Sequence, residues 1–414
     1  MVLRNFFLVF LNGQKIQTKL AWSAVLLEKA KFMATKNFFS ASAVLIGYII
    51  GVGMFSLPFI VNRSGILPFF ALLLGLGLVQ HFLHLIYANV ILVSRDYHHL
   101  PGYAGEYIGP SAKKLATVCK LVGNYGALLA YIIITGIFLH DLLAPIFGGS
   151  LFFYGSALFA LEALIVFFGI GVLCRAELLM SLLLIMVVAL IAIKGWPLVS
   201  AANFHLLDWK YSLLPYGAIL FAVDGNGAIP AVIQLLNRNE QAIRRVVRIG
   251  FYLPAAIMII FTLTVLGISG AGTSADALTG IRNSFGDGVI VLALIFGVLT
   301  IVTSFLGVSQ ATRDMLVWDY RLGPKKAWAL AVFVPYIFYL LGLNDLIAVV
   351  SFAGAVAGGL SAMILIYIYA RLSKTKGGLL IFKERPKEIF IIMFFLLFIG
   401  GLVYEMLNFF GWIK

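Results

Sequence analysis

Residues 221–232 read FAVDGNGAIPAV and set Asp224, Gly225, Asn226, Gly227 and Pro230 inside a strongly apolar stretch. A carboxylate at membrane depth is costly, and by default it handles an ion or a substrate. Asp224 is thus a candidate proton acceptor, cation ligand, or cap on backbone freed by a helix break. Other chemistry is sparse. His81 and His84 share one helical face at i,i+3 spacing. Without carboxylates or a second pair beside them, packing or hydrogen bonding suits them better than metal or haem ligation. Glu162 is a second intramembrane carboxylate, suited to proton relay or lateral pairing. Lys120, His140 and Asp141 fall near the ends of an apolar run, where snorkelling or interfacial solvation accounts for them. Cys119 and Cys174 form no CxxC, so neither a disulfide framework nor a thiolate metal site is indicated. No HExxH, clustered nucleophile or GxxxxGK[ST] is present, which speaks against an enzyme and against ATP-driven transport by this chain.

The elements that must position these residues are membrane helices. Of 414 residues 62% are hydrophobic and 11% charged, and the mean hydropathy is +1.04. The apolar runs are continuous rather than alternating, which excludes a barrel. About eleven runs are expected as spans, near 38–62, 66–94, 115–146, 151–173, 177–197, 211–237, 246–269, 286–311, 327–343, 346–370 and 388–411. The domain plan is a tail over 1–37 and a single transmembrane domain over 38–411. The tail's apolar run Val2 to Leu11 is too short to span, and suits the membrane surface.

A net charge of +13 reads by position as loop charge rather than as a nucleic-acid footprint. With the N-terminus cytoplasmic, most Lys and Arg fall inside, and Arg63, Lys194, Lys210, Arg282 and Lys414 are left outside. That split predicts a multi-pass protein of the inner membrane with an external C-terminus.

Two of the expected helices carry matching interruptions. Gly51-Val52-Gly53 followed by Pro58 parallels Gly225-Asn226-Gly227 followed by Pro230. Each falls in the first helix of a group of five, so the groups cross in opposite senses, as in an inverted repeat. The repeats run over about 38–197 and 211–370, with an extra helix near 388–411. Paired glycines ease departure from helical geometry, and a proline suits the first turn of a restarted helix. Facing breaks create a polar pocket near the midplane, where a half-helix N-terminus meets an anion and freed carbonyls meet a cation.

Ile50-Gly51-Val52-Gly53-Met54 with Pro58, Gly227-Ala228-Ile229-Pro230, and Thr303-Ser304-Phe305-Leu306-Gly307-Val308 together resemble the bacterial tryptophan/tyrosine permease family. That family lies within the amino acid/polyamine/organocation superfamily. The resemblance covers residue 38 onward and implies an all-α, leucine-transporter-type fold with discontinuous first and sixth helices. It implies secondary uptake of an amino acid by proton or sodium symport with alternating access, and no cofactor. The backbone of Gly51, Val52, Gly53, Met54 and Phe55 would take the substrate carboxylate. Carbonyls of Val223, Asp224 and Gly225 would take the ammonium, with Asn226 and Gly227 completing the site. Gly47, Ile50, Thr303, Ser304 and Asp224 are the cation-coupling candidates. By the same analogy Asn124 and Tyr125 line the pocket. Relatives commonly place an aromatic residue and a histidine where this chain has Gly225 and Asn226, so a smaller or more polar neutral amino acid fits as well as an aromatic one. Partners are then this solute and the lipid bilayer, not nucleic acid; oligomeric state is left open. A channel would need a filter or charged ring that the sequence does not show. A metal-ion transporter of the same fold would need an acidic motif in the first helix.

Overall fold

Within a bilayer every backbone N–H and C=O must be paired internally, and a helix does this inside one segment. The computed structural model describes residues 37–168, 173–285, 288–375, 378–382, 384 and 387–412, and among them there are helices and no β-strand. The tail expected at the membrane surface lies outside the described residues. Among the described residues eight helices are long and apolar enough to span, or nine when one bent pair is counted as a span.

The first half of the chain folds as α1 (Asn37–Ile49), α2 (Val52–Ser64), α3 (Ile66–Val93), α4 (Leu100–Tyr107), α5 (Pro110–Phe147), α6 (Leu151–Phe168) and α7 (Leu173–Gly195). The second half adds α8 (Pro215–Ala222), α9 (Ile229–Leu235), α10 (Glu240–Ser269), α11 (Leu278–Ile281), α12 (Val289–Tyr320), α13 (Pro324–Leu340), α14 (Leu346–Ala353), α15 (Gly359–Leu372) and α16 (Glu388–Phe409). Several ends differ from expectation. α5 starts at Pro110 rather than near 115 and runs 38 residues, or about 57 Å at the α-helical rise. α13 has only 17 residues, just under a full span.

Both expected interruptions are present. α1 and α2 meet at 44° across Ile50 and Gly51, and Gly51 is extended at φ −141°. α8 and α9 are parted by residues 223–225 and a 3₁₀ turn over Asn226–Ala228. Pro230 sits in the first turn of α9, where its missing N–H costs nothing. Pro58 does not restart its helix: it lies inside α2, where it deprives the Met54 carbonyl of a helical donor. A third irregularity, a π-turn over Gly354–Gly358, joins α14 to α15.

None of the glycines of the breaks has a positive φ, and Gly53 and Gly227 serve close approach. A Cβ on Gly53 of α2 would lie 2.7 Å from Ala222 Cα in α8. A Cβ on Gly227 would lie 2.1 Å from the Tyr48 hydroxyl oxygen of α1. Each broken helix thus carries a glycine where the other must pass.

α5 and α12 pack along each other, and α14 and the π-turn close on α5 and α8. α16 lies at the periphery, burying Phe398 and Glu405. Exposed Leu74, Phe168, Ile193 and Leu396 are the side chains of a lipid-facing surface. The far end of α3 is tied down twice. The Arg238 guanidinium, just beyond α9, donates to the carbonyls of Ile91, Leu92 and Ser94, a cationic cap on a helix C-terminus. Asn89 holds the stretch 378–381: Nδ2 donates to Gly378 O at 3.0 Å, and Oδ1 accepts from Leu380 and Ile381 N–H at 2.8 and 2.9 Å.

Candidate functional site

The second break is held by side chains from α3. Gln80 and His84 are one turn apart, so they share a face of α3. His84 Nε2 accepts the Gly225 N–H at 2.9 Å, and Gln80 Nε2 donates to Asp224 Oδ1 at 2.9 Å. The same Oδ1 accepts the Asn226 N–H at 3.0 Å and Asn226 Nδ2 at 2.7 Å. Both Gln80 and His84 are buried. Three donors on Oδ1 fix the carboxylate and leave Oδ2 out of these bonds. Asn226 Oδ1 is a further buried acceptor with no partner among the described residues.

Asp224 lines a cavity of about 60 Å³ between α1, α2, α5, α8 and the π-turn. Gly51, Val52 and Gly53 form its wall on the first break. The N–H groups of a helix's first turn lack intrahelical partners, so the start of α2 offers donors and a positive dipole end. Met54 N–H is already bonded to Gly51 O at 3.2 Å, which leaves Val52 and Gly53 as the donors nearest the wall. The cavity therefore has an anion-seeking side at α2 and a cation-seeking side at Asp224 Oδ2. Apolar and aromatic surface from Tyr48, Ile49, Tyr131, Phe221 and Val308 fills most of the rest.

The predicted site residues divide. Gly51, Val52, Gly53 and Asp224 line the cavity. Met54 and Phe55 do not; the Phe55 ring packs edge-on against Phe138 and Phe261 at 5.2 and 5.7 Å. Val223, Gly225, Asn226 and Gly227 form the break behind Asp224 rather than the cavity surface. Gly47, Ile50, Thr303 and Ser304 also stand off that surface. The hydroxyls of Thr303 and Ser304 both donate to Thr300 O, at 2.8 and 3.0 Å. Asn124 lines the cavity and donates to Thr312 Oγ1 at 2.8 Å. Tyr125 faces away and donates to Leu330 O at 3.0 Å. Glu162 is buried, and its Oε1 has no partner among the described residues.

Lys120 overturns one expectation. It lines the cavity instead of snorkelling at an interface, because α5 begins earlier than the charge pattern suggested and carries Lys120 about three turns in. Gln80 was missed although its signal was present, a lone amide one turn before His84 in an apolar run. The π-turn likewise had a signal in the small residues of GAVAGG at 354–359. Gly354, Ala357 and Gly358 line the cavity, where π-turns are often functional.

Comparisons with known proteins bear on the fold and the family. MhsT in complex with L-phenylalanine superposes with a TM-score of 0.64 at 18% identity, covering 90% of this chain and 97% of that one. The chain thus has the leucine-transporter-type fold. The tyrosine-specific transport system 1 of Haemophilus influenzae is 24% identical over 335 residues, 76% of this chain and 83% of the relative. The tryptophan-specific transport protein of Pseudomonas aeruginosa is 28% identical over 209 residues, 45% of this chain and 49% of the relative. With a family match running over residues 34–405, this chain belongs to the tryptophan/tyrosine permease family.

Proposed function

We propose that this protein is a secondary active transporter that takes up a neutral amino acid by cation symport, with alternating access around the cavity between the broken helices. The observation that carries the reading is the pairing, across one cavity, of the α2 N-terminus with the open Oδ2 of Asp224. A zwitterion matches it: carboxylate toward the Val52 and Gly53 N–H groups, ammonium toward Asp224 and the carbonyls behind it. The α5, α8 and π-turn surface receives the side chain. Relatives named for tyrosine and tryptophan transport support the substrate class. The five-plus-five inverted repeat belongs to the same proposal.

The coupling ion is a proton or sodium, and the two place it differently. A proton is carried on Asp224 Oδ2, the carboxylate oxygen that accepts no bond among the described residues. Sodium takes the site formed by carbonyls of Gly47 and Ile50 with the hydroxyls of Thr303 and Ser304, whose oxygen lone pairs stay available while they donate to Thr300.

Uptake of a panel of labelled neutral amino acids into proteoliposomes, with pH and sodium gradients imposed separately, tests this. One gradient is expected to drive accumulation above equilibrium. Uptake indifferent to both overturns the symport reading. Flux that only dissipates gradients would indicate a channel.

A further inference from the structure

The cavity carries two charged side chains, Asp224 and Lys120, and the uptake scheme above uses only the first. Lys120 is half-buried on the α5 wall beside Gly123 and Asn124. Among the described residues it makes no hydrogen bond and no ion pair. A buried cation without a partner is costly, as is a buried anion. Asp224 lines the same cavity, and its Oδ2 accepts no bond among the described residues.

We propose that Lys120 is the counter-ion of Asp224 in the empty carrier. This rests on reading the cavity as the substrate site of a coupled transporter. In the loaded state a substrate ammonium or a coupling cation balances Asp224. After release, the carrier must return past the apolar barrier with a bare carboxylate, and that step is slow unless a charge replaces the one that left. Lys120 supplies it. Its four-carbon stem is flexible and its ammonium has three rotatable donors, and among the described residues no bond holds it back. α5 is continuous through Lys120, so the side chain moves while the helix stays. The covalent state of both groups is unchanged; a salt bridge forms on unloading and is displaced on loading.

The two transport modes separate this role from substrate binding. Net uptake requires the empty carrier to return, whereas exchange of internal for external substrate does not. Lys120→Met and Lys120→Gln are reconstituted beside wild type, with labelled tyrosine and tryptophan as probes. Both variants are expected to lose net uptake about tenfold or more, the effect of carrying an unpaired charge through the membrane interior, while exchange is retained. Lys120→Arg keeps the charge and recovers part of net uptake. Retained exchange also reports that a variant has folded; should Met fail to fold, the Gln and Arg variants carry the comparison. Parallel loss of exchange and net uptake with a raised half-saturation concentration assigns Lys120 to the substrate carboxylate and overturns the proposal. Unchanged net uptake in both neutral variants overturns it too. Wild-type protein that neither exchanges nor takes up either probe counts first against the transporter reading, and the proposal falls with it.

Discussion

His84 Nε2 accepts the backbone N–H of Gly225 at 2.9 Å, so a ring from α3 closes the break between α8 and α9. Since Nε2 is the acceptor, the ring hydrogen sits on Nδ1, which has no partner among the described residues. Of the packing and hydrogen-bonding roles expected for this histidine, the second holds, and it supports the carboxylate one residue before Gly225.

Removing that support leaves a buried N–H unpaired. His84→Ala is expected to cost about 1–3 kcal/mol, read as a lower thermal unfolding midpoint in detergent, and to cut uptake further by loosening Asp224. His84→Gln retains a side-chain acceptor and should recover part of both. Equal stability of His84→Ala and wild type would show that the break is held by something else.

Crossing of the broken helices makes a graded prediction for three glycines. Gly227→Ala places a methyl 2.1 Å from the Tyr48 hydroxyl, and Gly53→Ala places one 2.7 Å from the Ala222 backbone. Overpacking of this kind costs about 1–3 kcal/mol. At Gly53 the obstacle is backbone and cannot rotate away, so the loss should be larger there than at Gly227, where a tyrosine can yield. Gly51→Ala meets nothing closer than the Tyr131 hydroxyl at 3.6 Å and should unfold near the wild-type temperature. Thermal unfolding of the three variants checks the order.

The breaks were legible in the sequence because paired glycines followed by a proline occur twice, at corresponding places in two groups of five expected helices; one such cluster alone suits close packing or a kink as well. The family motifs lie on the same residues, so fold and membrane class came with them. What was not legible depends on neighbours far along the chain. Lys120 was assigned to an interface because it falls close to the expected helix start near 115, yet α5 already runs from Pro110. Gln80 became meaningful only when folding brought it to Asp224, 144 positions away. The glycines were expected to relax the backbone, and the first break does fall at Gly51; Gly53 and Gly227 also let another helix pass, and local sequence does not say which helix that is.

Asn89 yields a prediction away from the cavity. It is buried, and its amide ties the stretch 378–381 to α3 through three bonds. Asn89→Leu leaves two backbone N–H groups and a carbonyl without partners. Each unsatisfied group that stays buried costs about 1–3 kcal/mol; those that reach water cost less. Faster proteolysis near residues 378–381, with substrate affinity unchanged, is the expected signature. A cleavage pattern like that of wild type would mean the stretch is held by other contacts.

Asp224→Asn distinguishes chemistry from architecture at the site. Asparagine keeps an oxygen that can accept from Gln80 Nε2, Asn226 Nδ2 and the Asn226 N–H, so the break should persist. Oδ2, however, becomes an NH₂ group, which can neither carry the coupling proton nor attract an ammonium or a cation. Unfolding is expected within about 1 kcal/mol of wild type, the scale of a polar substitution that leaves its bonds in place, while coupled uptake disappears. Asp224→Ala should behave differently, because it also strands the donors of Gln80 and Asn226 and adds about 1–3 kcal/mol of destabilisation. Thermal unfolding and gradient-driven uptake measured on the same preparations separate the two effects. If Asp224→Asn couples as wild type does, the carboxylate is a structural cap, and neither proton nor cation passes through it.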